Sequence, residues 1–465
     1  MGINDILNIA RSGISVNQSA LKVTGHNVAN VNTPGYSRQR ISLKSIGGAG
    51  MLGAGVSLAD VRRVHDQFLE KQVNRQKATL EFLNGRDLLT QQLDAVFPDA
   101  DADGVSNALS TFFNALREVA NNPSALPERQ QAVHAAERLA GRVSEAYTNL
   151  ESMQHNLNGD VSSMVGQANA YLQEIAALNK KIAAFNDPAG GQEASDLLDK
   201  RDEAVRSLND LLDVTTFVDG AGNVNVMMAN HMLVEGAQAG KVSTTPGALF
   251  GVQIETAAGN AIDVTDRLAQ ADGKGKIAGM LYERDGFIED LKGKLDAFAY
   301  TLATRVNAIH QTNYGLDGGS GRDFFAPIAQ VNGAAKLFAV DQGVADNPEW
   351  IAAASDAASV NGDNRGIAAI IDLQDDATAM GSTSFSEFLI DVIGAVSNRA
   401  NALERELSFQ DAAWRQADAY RTSIAGVSLD EEMVSLVQYQ RAFEASAKMV
   451  STVDQMLTTL IEIKQ

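Results

Sequence analysis

The sequence predicts a mainly α, multidomain protein with terminal coiled-coil helices, a long-helix bundle and a small β-rich domain inserted in it. Three observations predict this class. Apolar residues recur at alternating steps of four and three at both chain ends. The same spacing returns through most of the interior. Between 213 and 275 it gives way to short alternating runs separated by turn residues. A chain of 465 residues is long enough for several domains.

At the start, Ile3, Leu7, Ala10, Ile14, Asn17, Leu21, Thr24, Val28 and Val31 form the stripe. A helix over 3–31 would span roughly 43 Å at 1.5 Å per residue. Thr33 precedes Pro34 and is pushed out of the α region, so the helix must end there. Pro34-Gly35 suits the two middle positions of a type II turn. The period then becomes two over Arg40–Lys44 and Val56–Val61, which reads as a hairpin across a glycine-rich loop.

Helix dominates from 63 to 212. Val133, Ala136, Ala140, Val143, Tyr147, Leu150 and Leu157 keep the three-four step, and it resumes at Val161 after Asn158-Gly159. A break is expected at Asn186–Gly191. Strands are expected over Val214–Val218, from Val224, from Val252, and over Ala261–Val264. Helix returns at Ile277 and carries Ile288, Leu291, Leu295, Phe298, Leu302 and Ile309. Residues 313–384 read as irregular with one or two short strands, and helix resumes near Phe385 to about 422.

The last segment mirrors the first. Leu429, Met433, Leu436, Gln440, Phe443, Ala447, Val450, Asp454, Leu457 and Ile461 again alternate four and three. Met449, Val453, Met456 and Leu460 widen the stripe. Ser428-x-x-Glu431 reads as a capping box, and Asp430, Glu431 and Glu432 favour the positive end of the helix dipole. Burying one Leu or Ile stabilises by about 1.5–3 kcal/mol. A single chain could hide these stripes only by pairing its ends, and the widened C-terminal stripe would stay partly exposed. The expected seam is Leu7, Ile14, Leu21, Val28, Leu429, Met433, Leu436, Phe443, Val450, Leu457 and Ile461, with further copies of the chain as its cover. The domain boundaries that follow are 1–62 and 425–465 for the terminal-helix domain, 63–212 and 276–424 for the bundle, and 213–275 for the β insert.

Acidic residues number 58 against 38 Lys plus Arg, a net charge of −20. Such a field repels phosphate backbones and anionic lipid, so neither nucleic acid nor a membrane surface is an expected partner. Cysteine is absent, which removes disulfides, Cys–zinc sites and thiol catalysis. No basic segment leads into an apolar run at the start, so no Sec-type signal is expected.

The local matches to ligand motifs are weak. Gly48-Ala-Gly50-Met-Leu-Gly53 fits GxGxxG but runs into a strand pattern, not the helix a dinucleotide site needs. Asp99-Ala-Asp101-Ala-Asp103-Gly104 fits half a calcium loop, but Ser110 stands where the bidentate Glu belongs. Asp196, Asp199, Asp202 and Glu203, with Lys200 and Arg201 among them, read as a solvated helix face. His26 reads as a polar residue closing a helix. No metal, cofactor or catalytic residue is assigned.

The run Ala29-Asn-Val-Asn-Thr-Pro-Gly-Tyr-Ser-Arg-Gln39 resembles the N-terminal signature of the flagellar rod, hook and hook-associated axial proteins. Its Gly-Tyr-Ser-Arg-Gln form is similar to the hook-associated branch. Gly426–Leu457 resembles the C-terminus of the same family, and Gly315–Phe325, Ile351–Ser355 and Gly362–Arg365 agree. The likeness covers both ends and the second half of the middle. It marks Asn30, Thr33, Pro34, Gly35 and Tyr36 as the family's turn motif. It implies a structural subunit, not an enzyme, that polymerises at the hook tip as the zone between hook and filament. The implied partners are copies of itself, the hook protein, the second junction protein and the flagellin side. A cytoplasmic chaperone is expected on the C-terminal region, with export through the flagellar type III apparatus and an extracellular location. A hook or distal-rod subunit is the alternative within the family; a flagellum-borne wall hydrolase is the alternative outside it. Residues 1 to about 60 and 425–465 are expected to be mobile in the free chain and to order on assembly.

Overall fold

The computed structural model describes residues 3–47, 53–97, 104–185, 191–247, 250–256 and 258–463. Gly48 and Gly50 of the glycine-rich loop, Asp99, Asp101 and Asp103 of the half calcium loop, and most of the break at 186–191 lie outside them. In chain order the elements are α1 (Ile3–Ala29), β1 (Gln39–Ile46), β2 (Gly55–Arg63), α2 (Gln67–Val96), α3 (Val105–Asn121), α4 (Leu126–Phe185) and α5 (Gly191–Leu211). Then come β3 (Thr215–Val218), β4 (Val224–Met228), β5 (His231–Glu235), β6 (Gln238–Ala239), β7 (Lys241–Thr245), β8 (Gly251–Glu255) and β9 (Ala261–Asp263). The rest is α6 (Thr265–Leu268), α7 (Lys276–Tyr282), α8 (Glu289–Thr312), α9 (Ala334–Leu337), α10 (Gln342–Asp346), α11 (Arg365–Asp372), α12 (Phe385–Ala425) and α13 (Leu429–Ile463). The chain is mainly helical, as its spacing predicts.

The contacts divide the chain into two units, 1–81 with 164–265 and 409–465, and 82–163 with 266–408. In the first, α1 stops where Thr33-Pro34 requires. β1 and β2 pair antiparallel, Gln39 opposite Arg63 and Ile46 opposite Gly55, with a register shift at Ser42/Leu43. The β region forms two antiparallel sheets, ordered β3-β4-β5-β6 and β7-β8-β9. The β4–β5 turn places Ala229 and Asn230 at φ +47° and +70°, the left-handed pair a tight hairpin demands. Two asparagines of α4 hold these sheets. Asn179 donates to the Val224 and Gly236 carbonyls and accepts from Val224 N–H. Asn169 donates to the Val242 carbonyl and accepts from its N–H. Each meets backbone groups that would otherwise be left unpaired.

The second unit has an aromatic core. Phe112 of α3 packs on Phe324 and Phe325, whose N–H groups both donate to Asn307 Oδ1. Gly279 lets α7 approach α2 so closely that a Cβ there would strike the Phe82 carbonyl. A π-helical turn over Glu283–Ile288 joins α7 to α8. It carries the fully buried Glu283, whose Oε1 accepts from Arg86 Nε and Arg399 Nη2, both at 2.7 Å. A Ser384/Glu387 capping box starts α12.

Two local expectations change. α4 runs unbroken through Asn158-Gly159, because Val161, Val165 and Ala168 continue its buried face and a single interior glycine costs only about 1 kcal/mol. Residues 313–384 contain short helices and two isolated bridges, Tyr314–Ala354 and Phe325–Val340, in place of strands.

Candidate functional site: the terminal helix pair and its polar joint

α1 and α13 pack against each other in the first unit. A Cβ on Gly13 would lie 2.9 Å from Ser446 Oγ, and Asn27 Nδ2 donates to Glu432 Oε2 at 3.1 Å. The two contacts share one offset, so the helices are antiparallel. At equal rise per residue, Ile3 stands level with Met456. The last turns of α13 therefore run past the start of α1.

The stripe residues are only partly covered. Leu7, Ile14, Leu21 and Val28 are half-buried. The fully buried line on α1 is instead Ala10, Val16, Ala20, Val23, Thr24 and Asn27. α1 has a second neighbour that rotates its buried face: the β hairpin, where Ser12 Oγ accepts from Val56 N–H. On α13, Leu436, Phe443 and Val450 are half-buried, and Leu429, Met433, Leu457 and Ile461 are exposed. Glu432 and Val453 are its only buried residues among those described. Val434, Val437, Met449, Met456 and Leu460 add to the exposed apolar face.

The turn motif builds the joint at the other end of the pair. Gly35 adopts φ +77°, and Tyr36 N–H donates to the Thr33 carbonyl at 3.2 Å, closing the expected turn around Pro34-Gly35. Asn30 Nδ2 donates to the His26 carbonyl and its Oδ1 accepts from Thr33 Oγ1. The turn brings Tyr36 back onto α1, where its hydroxyl donates to Asn27 Oδ1 at 2.7 Å and meets His26 Nδ1 at 3.0 Å.

Asn27 is the hub. It is 1% exposed. Its amide donates to the Gln39 carbonyl and Glu432, and its oxygen accepts from Gln39 N–H and Tyr36. All four of its hydrogen-bonding positions are filled. Arg38 then clamps α13: Nε donates to Glu432 Oε1 at 2.6 Å, Nη1 to Glu431, and its N–H to the Ala425 carbonyl. Glu431 thus turns to Arg38 where a capping-box partner of Ser428 was expected. That bond holds the Glu431 carboxyl below its ordinary range.

The acidic face of α5 is only partly solvated: Asp196 and Glu203 keep about half their side-chain exposure, but all four carboxylates are paired, contrary to expectation. Asp199 is buried, accepting from Ser37 N–H and Arg63 Nη1. Asp202 accepts from Arg63, Asp196 from Gln39 Nε2, and Glu203 pairs with Arg206. Burial pushes the Asp199 carboxyl up, against the pull of Ser37 and Arg63. Burial and the charges of Asp196, Asp199 and Glu432 push the Tyr36 phenol far up, so it stays a donor. Charge spacing alone does not distinguish a solvated carboxylate from one awaiting a basic residue 136 positions away. Asn27 and Arg38 carried no spacing signal either.

Among the described residues, no group of three or more His, Asp or Glu is placed to hold a metal. Nor is any helix long and apolar enough to cross a membrane.

The chain is similar to known flagellar proteins. The model of the flagellar hook-associated protein FlgK helical domain matches residues 90–325. The flagella basal body rod protein model matches residues 7–36, and the C-terminal model of the flagellar basal body rod FlgEFG proteins matches 421–463. Flagellar hook-associated protein 1 of Salmonella typhimurium is 25% identical over 558 residues, 99% of this chain and all of its own. That of Bacillus subtilis is 27% identical over 498 residues, 98% of this chain and 97% of its own. The flagellar hook junction protein FlgK from Burkholderia pseudomallei superposes with a TM-score of 0.68 at 16% identity, over 76% of this chain and all of that one, which shows a shared fold. With its helical-domain match over just above half its length and rod-protein matches at its two ends, the chain belongs to the flagellar hook-associated protein FlgK family.

Proposed function

We propose that this chain is a structural subunit of the bacterial flagellum that polymerises at the hook tip as the junction between hook and filament. One observation carries the reading: paired terminal helices whose C-terminal member keeps an apolar face in solvent. A face of that kind on an otherwise strongly acidic chain costs free energy until it is covered. Copies of the chain supply the cover. The predicted seam, from Leu7 to Val28 and from Leu429 to Ile461, is the proposed contact. The turn motif Asn30–Tyr36 holds the angle at which the helix pair leaves the hairpin.

The finer partners follow from family membership and belong to the proposal: hook protein below, the second junction protein and flagellin side above, a chaperone on the C-terminal region, and type III export. The division at 62, 212, 275 and 424 is also kept as a proposal. The role is not enzymatic; a muralytic assay on purified protein is expected to give no turnover.

The test is complementation. In a strain lacking the gene, hooks are expected to form while filament subunits leak into the medium, and the intact gene restores filaments. Filaments built normally without it would refute the reading.

A further inference from the structure

Arg201 of α5 is a buried cation that no carboxylate of the described residues meets. It is 4% exposed. Its Nη1 donates to Asn179 Oδ1 at 3.1 Å and to the Gly222 carbonyl at 3.0 Å, both neutral acceptors. Its Nε is buried without a partner, and its Nη2 makes no bond among the described residues. A buried charge left in this state is costly unless an opposite charge joins it. Burial accordingly pushes the guanidinium below the usual arginine value, while Asp202 and Asp219 pull the other way through space.

Arg201 lines a cavity of about 340 Å³ that α2, α5, β3 and β4 bound within the first unit. That is the lower end of the range for small-ligand sites. Its charged groups are unevenly committed. Arg63 is held by Asp199 and Asp202, and Glu70 by Arg206. Lys71 is exposed and has no ion pair among the described residues. Burial and the nearby Arg63 push the His65 imidazole below its ordinary value, so it is neutral near pH 7. Three cations against two carboxylates leave the lining with one positive charge. Gln67, Asn74 and Thr216 add neutral polar groups. Phe217 and Val218 of β3 complete the wall, 43% and 51% exposed.

We propose that this cavity binds a small organic monocarboxylate, its carboxylate on Arg201 and Lys71 and its apolar body against Phe217 and Val218. Three features select that chemistry. The uncommitted edge of the guanidinium, Nε with Nη2, is the fork that takes two carboxylate oxygens side by side. One net positive charge matches a monoanion, whereas a phosphate dianion also faces the charges of Glu70 and Asp202. The exposed side chains of β3 give an apolar body a surface on which to leave water. An occupant ties α2, α5 and β3 together beside Arg63 and Asp199, which accepts from Ser37 N–H in the polar joint. Binding therefore stabilises the first unit by mass action.

The test titrates benzoate and butyrate, one flat and one linear body, into the full chain. Inorganic phosphate lacks the apolar body and benzyl alcohol lacks the charge, so these two are the controls. Calorimetry reads the affinity, and the Arg201 Nε–H resonance reads the place. At least one carboxylate is expected to saturate, about tenfold or more tighter than either control, with the Arg201 resonance shifting along the same curve. Lys71→Glu, at an exposed position without an internal ion pair, is expected to leave the fold intact and weaken that binding about tenfold or more. Failure of both carboxylates to saturate overturns the proposal. Phosphate binding as tightly overturns it in favour of a simple charge site, and benzyl alcohol binding as tightly in favour of an apolar cleft. An unmoved Arg201 resonance, or unchanged affinity in Lys71→Glu, also overturns it, because the ligand then sits elsewhere.

Discussion

Asn27→Ala is expected to unlock the joint between α1, β1 and α13 while leaving the second unit intact. The substitution removes four hydrogen bonds from a site 1% exposed. Gln39 N–H loses its acceptor in a buried position, which costs about 1–3 kcal/mol. Glu432 loses one of its donors, a bond to a charged group worth about 1.5–3 kcal/mol. Arg38 keeps its hold on Glu432 and Tyr36 keeps His26, so nothing further is lost there and the two losses sum to about 2.5–6 kcal/mol. Native-state hydrogen exchange reads this directly, because the Gln39 amide donates to the very oxygen that is removed. A loss of about 3 kcal/mol lowers its protection roughly a hundredfold. Amides of α3, in the other unit, serve as the control. Asn27→Asp separates shape from charge: it keeps the acceptor for Gln39 but sets a carboxylate against Glu432, so its defect should shrink on acidification. Wild-type protection at Gln39 in Asn27→Ala would refute the assignment of this residue as the hub.

Gly35→Ala is expected to destabilise the joint by about 1–2 kcal/mol, from its positive φ alone, and by more if Glu203, whose Oε2 would lie 2.8 Å from the new Cβ, cannot shift; limited proteolysis near 30–40 reports it. Burial pushes the His310 imidazole down to about 4. It stays neutral in the folded state, with Nε2 accepting from Ala352 N–H, while the unfolded chain takes up a proton near 6.5. The stability of the second unit should therefore fall as pH drops from about 6.5 to about 4. Asp210, in the first unit, has the opposite sign. Burial raises its carboxyl to about 6, so the folded state binds the proton more tightly and stability rises as pH falls from about 6 to about 4. Asp210→Asn should stabilise the first unit at pH 7 and flatten that slope; exchange measured unit by unit resolves the two. Along α13, where only Glu432 and Val453 are buried, amides should exchange quickly in the free chain and slow on assembly. Strong protection there before assembly would remove the idea that the ends order on polymerising.

How much was legible varies from element to element. α1, the hairpin, α12 and α13 followed from period and from Pro34, because helix and strand periodicity are local properties. β5, β6 and β7 were missed: His231–Glu235 is turned back by Ala229-Asn230, where an alanine stands in a left-handed position that no turn rule anticipates. The unbroken α4 was missed because burial of Val161 and Val165 outweighs the local preference of Asn158-Gly159. The three-four spacing of the apolar stripes was legible at both ends. Which residues of α1 are buried was not, since the hairpin covers a second side of the helix.

The sequence by itself determined the helical class, the place where the first helix ends, the turn at Pro34-Gly35, and the presence of more apolar surface at the ends than one chain can hide. These rest on contacts between near neighbours in the chain, which spacing records. Tertiary structure alone decided that Asn27, Arg38, Asp199 and Glu432 form one polar joint, that the helices run antiparallel with an overhang, and that the α5 carboxylates are occupied. Those facts depend on groups up to 405 residues apart meeting in a site largely shielded from water. A buried polar group is stable only when its partner arrives, and no local pattern announces that partner.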